Sequence, residues 1–315
     1  MAEPVRVDSH VHLYRTAEEG AAEKDGYEIW EYGEKPGVEL SKDTGTVDEV
    51  VAAMGKADIA KAIVVNLFSA NASREAETAK LPPDLSESKR RVAMSGVDAE
   101  IVGQLVEFNL WACKLAQRHP QLVAFVAADA VALPGEAGAA HVREMVEDHG
   151  ARGVKLHGAF QGFNMSDERL WPTYRSCEEL GISVIGHSGP DRGGAGFAEP
   201  RAFGEMLKAF PKLPVVLAHM GGATWDQALE IAQAYPNAYF DCCEIIEWTD
   251  ATNGPTEQQL VRLIKDIGPE RVMMGSDYPW YDLDQTVERV MELPLLAAEE
   301  KEGIIGANAV RILGL

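Results

Sequence analysis

Five of the chain's eight histidines and one aspartate stand at the far ends of short apolar runs, in an order that few folds satisfy. The first run, Val5-Arg6-Val7-Asp8-Ser9-His10-Val11-His12, ends in His-x-His. Later runs end in Leu156-His157, Gly186-His187, Ala218-His219 and Ser276-Asp277. Residues i and i+2 of a strand share a face, so His10 and His12 reach one ion together. Neutral imidazoles with a carboxylate suit a divalent metal that keeps an open position. A histidine satisfied within a core is ordinary, but five at equivalent strand ends are better explained by convergence on one small volume.

The remaining pattern agrees with a parallel barrel. Eight runs rich in Val, Ile and Ala, at about 5–8, 59–66, 122–127, 151–156, 182–186, 214–218, 238–241 and 272–275, read as strands covered on both faces. Between them lies helical periodicity. Thr46 predicts an N-cap, and Asp98 precedes an amphipathic segment that ends at Arg118 before Pro120. Further helices are expected near 136–148, 166–180, 200–210, 224–235, 256–267 and 283–291, with a terminal one over 297–313. Eight alternations give an α/β fold, a (β/α)8 TIM barrel, as one domain over 1–315. Long loops follow strands 1 and 2, at 13–45 with Tyr14, Tyr27, Trp30 and Tyr32, and at 67–96 with Pro82-Pro83. Both should lie on the C-terminal face, as a lid, an interface or solvated insertions.

Composition excludes several classes of partner. The formal charge of −21, from 29 basic and 50 acidic residues, repels phosphate backbones and anionic lipid headgroups. An anionic substrate would therefore need local cations. No apolar run approaches membrane-span length and no signal peptide is visible, so no membrane partner is expected. Cys113, Cys177, Cys242 and Cys243 lack framework spacing, which points to a reducing cytoplasm. A homo-oligomer stays open.

Several segments together resemble the amidohydrolase superfamily, in the group that includes aminocarboxymuconate-semialdehyde decarboxylase and pyrone-dicarboxylate lactonase. They are Asp8-Ser9-His10-Val11-His12, Gly153-Val154-Lys155-Leu156-His157, Gly186-His187-Ser188-Gly189, Ala218-His219-Met220-Gly221-Gly222, Gly275-Ser276-Asp277-Tyr278-Pro279 and Ile305-Gly306-Ala307-Asn308-Ala309. The resemblance spans essentially the whole chain and is specific for the family, not for a reaction. It implies that His10, His12, His187 and Asp277 bind one divalent metal, zinc first and manganese as the alternative. It also implies that His219 and Asp277 act on the substrate, His219 from just beyond the metal. A metal lowers the pKa of bound water from about 15.7 towards about 7. Asp277 would pass that proton on, and His219 would stabilise charge on the substrate oxygen.

Lys155 admits three readings: a carbamate bridging two metals, a cation for a substrate carboxylate, or a barrel salt bridge. The second is preferred. His157, Arg192 and Trp280 are expected to face the substrate, with Trp248 and Tyr281 as further wall candidates; Glu244 and Glu247 read as solvated loop acids. The expectation is a hydrolase of an amide, ester or lactone in a small, carboxylated molecule. The alternative is a non-oxidative decarboxylase of an aromatic or unsaturated acid.

Overall fold

In the computed structural model, which describes residues 5–26 and 30–315, eight parallel strands pair in strict sequence order, β1 to β8. The chain runs β1 (Val7–Val11), α1 (Ala17–Gly26), α2 (Val47–Ala57), β2 (Lys61–Val64), α3 (Ala70–Ala79), α4 (Glu87–Arg118) and β3 (Leu122–Ala127). It continues through α5 (Glu136–Glu147), β4 (Gly153–Leu156), α6 (Gly158–Gln161), α7 (Trp171–Leu180), β5 (Ser183–His187), α8 (Gly204–Ala209), β6 (Val215–Ala218) and α9 (Ala228–Ala234). Then come β7 (Ala238–Asp241), α10 (Glu257–Ile267), β8 (Val272–Met273), α11 (Leu283–Glu292), α12 (Ala298–Glu302) and α13 (Asn308–Leu313). The amides of Ser9, Asp277 and His12 bond to the carbonyls of Met274, His10 and Tyr278, bringing β8 back to β1. This is a (β/α)8 TIM barrel.

Strand parity explains what enters the barrel. Val7, Ile63, Val123, Phe125, Ile185, Val216 and Met273 form the interior cluster, and Ala309, Ile312 and Leu313 of α13 pack into it. Pairing of β1 with β2 is irregular between Asp8 and Val11. That shift moves the inward face from Val7 to His10 and His12, because a one-residue offset flips a strand's faces. Gly275 lets β8 approach, since a Cβ there would stand 2.7 Å from that of His10.

Some boundaries differ from the sequence reading. The first strand runs over Val7–Val11, not 5–8, because β8 continues to pair with it. The 13–45 connection contains α1, and the 67–96 connection contains α3 and the first turns of α4, which starts at Glu87 rather than beyond Asp98. Val97 and Ile101 of α4 pack on Ala70 in a small satellite cluster, which stabilises that early part. Tyr27 lies outside the described residues. Among the described residues no helix is long and apolar enough to cross a membrane.

Candidate metal centre

His10 and His12 extend from β1 and Asp277 from the turn after β8, and all three are buried. Asp277 Oδ1 lies 3.2 Å from His12 Nε2 and 3.5 Å from His10 Nε2. Two ligand atoms, each about 2.1 Å from one ion at tetrahedral or octahedral angles, stand about 3.0–3.4 Å apart, so these residues fit a divalent metal. Burial alone would raise the Asp277 carboxyl. The hydrogen bond to His12 and the electrostatic pull of the neighbouring His10, His12 and His219 imidazoles outweigh it and hold the group well below the carboxylate range. The imidazoles of His10 and His12 are lowered, chiefly by burial, which leaves them neutral and able to ligate.

His187 closes β5 and stacks on His157, with ring centroids 3.7 Å apart. Among the described residues it belongs to none of the groups in which three possible ligand atoms lie within 4.8 Å of one another. Those groups are His10, His12 and Asp277; His10, His219 and Cys243; and His219, Glu244 and Asp277. Lys155 is buried, its Nζ 3.0 Å from His10 Nε2. Among the described residues no carboxylate lies within 4.0 Å of it, so the salt-bridge reading does not materialise. Burial lowers its ammonium to about 8.

His219 opens the turn after β6. Its Nδ1 lies 3.3 Å from the Cys243 carbonyl oxygen and 3.6 Å from Glu244 Oε2, so Nε2 is the nitrogen left for a substrate. Glu244 is not a solvated loop acid: it is 3% exposed and adjoins the same cavity. Glu247 is half-buried, and burial raises its carboxyl. Residues that sequence reasoning missed come from the strand ends and the first loop. Asp241 closes β7 as Asp277 follows β8, a parallel that offered a signal. Glu31 reaches beside Gly222, where a Cβ would stand 2.5 Å from its carboxylate; burial raises that carboxyl to about 7.

The centre opens on a cavity of about 900 Å³ that Lys155, His157, His187, His219 and Trp280 line. Phe68, Phe108 and Trp111 form a contiguous wall, with successive ring centroids 6.0 and 6.4 Å apart, and Arg15 lies 5.7 Å over Trp111. Arg192 is not on this cavity; its guanidinium stands 5.7 Å over Trp30. Trp248 and Tyr281 do not wall it either, because Trp248 Nε1 donates to the Tyr281 hydroxyl at 2.7 Å and its ring stacks on Tyr32.

Convergent imidazoles and a carboxylate at the C-terminal mouth of a parallel barrel define a class of metal-dependent enzymes. A family model described as Amidohydrolase matches residues 7–315, and the chain belongs to that family. Two similar proteins are named 2-amino-3-carboxymuconate-6-semialdehyde decarboxylase. The one from Dictyostelium discoideum is 26% identical over 211 residues, 57% of this chain and 58% of that protein. The one from Caenorhabditis elegans is 29% identical over 124 residues, 36% of this chain and 30% of that protein. The chain thus spans less than two thirds of either relative. Among solved structures, a dihydroxybenzoic acid decarboxylase from Polaromonas, with bound manganese and the inhibitor 2-nitroresorcinol, aligns with a TM-score of 0.66. It is 14% identical and the alignment covers 100% of this chain and 98% of that one, a likeness of fold. The hydrolase expectation is corrected by these comparisons, since the named relatives are decarboxylases. The Gly153-Val154-Lys155-Leu156-His157 segment places Lys155 against His10 at the barrel mouth and specifies no reaction type.

Proposed function

We propose that the chain is a metal-dependent, non-oxidative decarboxylase of an aromatic or unsaturated carboxylic acid. The observation that carries this reading is the cavity itself. One end holds the His10, His12 and Asp277 cluster with Lys155 and His219, and an aromatic wall runs along its side. The names of the relatives support it.

His10, His12 and Asp277, with His187 at the end of β5, would hold a divalent ion, zinc or manganese, and that ion would supply Lewis-acid chemistry to the substrate when bound. Lys155, with an ammonium at about 8, stays largely positive at neutral pH and holds the substrate carboxylate against the chain's acidic background. The planar body lies against Phe68, Phe108 and Trp111, with His157 and Trp280 on the cavity's inner surface. When the carbon–carbon bond breaks, carbon dioxide leaves and the electron pair stays on the substrate carbon. His219 Nε2 delivers the proton that replaces the carboxylate. Burial lowers the His219 imidazole, so it rests neutral and takes that proton from solvent before each transfer.

The test uses the metal-loaded protein with a panel of planar acids, among them 2-amino-3-carboxymuconate semialdehyde and dihydroxybenzoates. Turnover in deuterated, oxygen-18-enriched water should release carbon dioxide and place deuterium on the carbon that lost it. Oxygen-18 in the product without released carbon dioxide would reject decarboxylation. Elemental analysis should find close to one equivalent of zinc or manganese per chain; two equivalents would bring Lys155 into a second site.

A further inference from the structure

We infer that Asp241 is a positioning residue that fixes the tautomer of His10, and so makes its Nε2 available to the metal. The inference rests on the metal reading above. Asp241 closes β7 and is fully buried. Its Oδ2 lies 3.1 Å from His10 Nδ1, on the side of the ring away from Asp277. Its Oδ1 accepts the backbone N–H of His219 at 2.8 Å and the thiol of Cys243 at 2.8 Å. One carboxylate therefore ties together the ends of β1, β6 and β7.

A carboxylate only accepts hydrogen bonds, so the proton on neutral His10 resides on Nδ1 and the lone pair on Nε2. Nε2 is the atom 3.5 Å from Asp277 Oδ1, where the ligand cluster converges. The second donor near Nδ1, Cys243 Sγ at 3.4 Å, already spends its proton on Asp241. Among the described residues, Asp241 and Cys243 are the side chains at hydrogen-bonding distance from Nδ1. Residues that orient a ligating histidine in this way typically account for about 10–100-fold in metal affinity.

Asp241→Asn separates this role from packing. The amide oxygen must stay towards His219 N–H and the Cys243 thiol, because turning it away would set donor against donor. The amide NH₂ then faces His10 Nδ1 as a donor and forces the ring proton onto Nε2, the ligating atom. Zinc dissociation constants measured by chelator competition should rise about 10–100-fold in Asp241→Asn, with unchanged circular dichroism. A folded variant that binds zinc within threefold of wild type would overturn the inference. If the variant does not fold, the zinc-loaded wild type decides. Long-range ¹H–¹⁵N spectra of labelled histidines, with His10 assigned from His10→Gln, should show the proton on Nδ1; a proton on Nε2 would overturn it. A wild type that takes up no zinc sinks the metal centre and this inference together, whereas equal binding by both proteins sinks Asp241's role alone.

Discussion

His219, Met220, Glu244 and Asp277 hold φ angles of 61°, 51°, 60° and 59°, and they are four of seven such non-glycine residues among those described. Left-handed backbone costs an L-residue roughly 1–2 kcal/mol, and it persists where surrounding structure enforces it, often at active sites. These four stand after β6, β7 and β8, where the chain turns sharply enough to aim side chains at the barrel mouth. Glu244→Gly should relieve the strain, leaving unfolding free energy in urea unchanged or higher by up to about 1 kcal/mol. Turnover should fall about tenfold, the effect of roughly 1.4 kcal/mol on a barrier. A less stable, fully active variant would show that Glu244 serves the fold alone. His219→Asn should keep the ion, by elemental analysis, while losing about a hundredfold or more in turnover. Metal loss from that folded variant would instead make His219 a ligand.

The helices α4 and α5 are joined to β3 through one amide. Asn109 donates to the Ala127 carbonyl and to His141 Nε2, each at 2.9 Å, and accepts the Ala127 amide at 2.8 Å. Burial lowers His141, and the bond from Asn109 requires its neutral form. Because the folded value is depressed, this contribution is complete above about pH 6.5 and is lost as pH falls below it. His141→Gln should therefore lose less Tm than wild type between about pH 7.5 and about 5. Parallel Tm curves for the two proteins would discard this linkage.

At the same scale one sees what the sequence could tell. Strands with both faces covered are continuous apolar runs, so the barrel was legible, and its strand ends carry His10, His12, His187, His219 and Asp277, which line one cavity. The helices α1 and α3 were not, because Ala-Glu-Glu-Gly-Ala and Ala-Asn-Ala-Ser-Arg carry no apolar stripe. Asp241 and Glu244 were underrated because their meaning depends on β7 lying between β6 and β8 and on a backbone reversal at residue 244. Arg192 misled because a glycine-rich loop gives no period from which to judge direction.

For the molecule as a whole, the proposed ligands come from β1, β5 and the turn after β8, which only the folded barrel assembles. An ion that binds the native state alone should stabilise it by about 2.7 kcal/mol at a hundredfold excess over Kd. Chelation should then lower Tm by several degrees, with recovery on adding zinc or manganese and none with magnesium. A Tm indifferent to chelation of metal-replete protein would contradict this coupling. The cavity's outer wall has a different origin. Gln104, Glu107, Phe108 and Trp111 line it from one face of α4, at helical spacing, whereas every proposed ligand sits at a strand end. Heredity can therefore act on the two separately: drift along a single helix resizes and recharges the entrance without disturbing a ligand, so lineages sharing one reaction can diverge in the acids they accept.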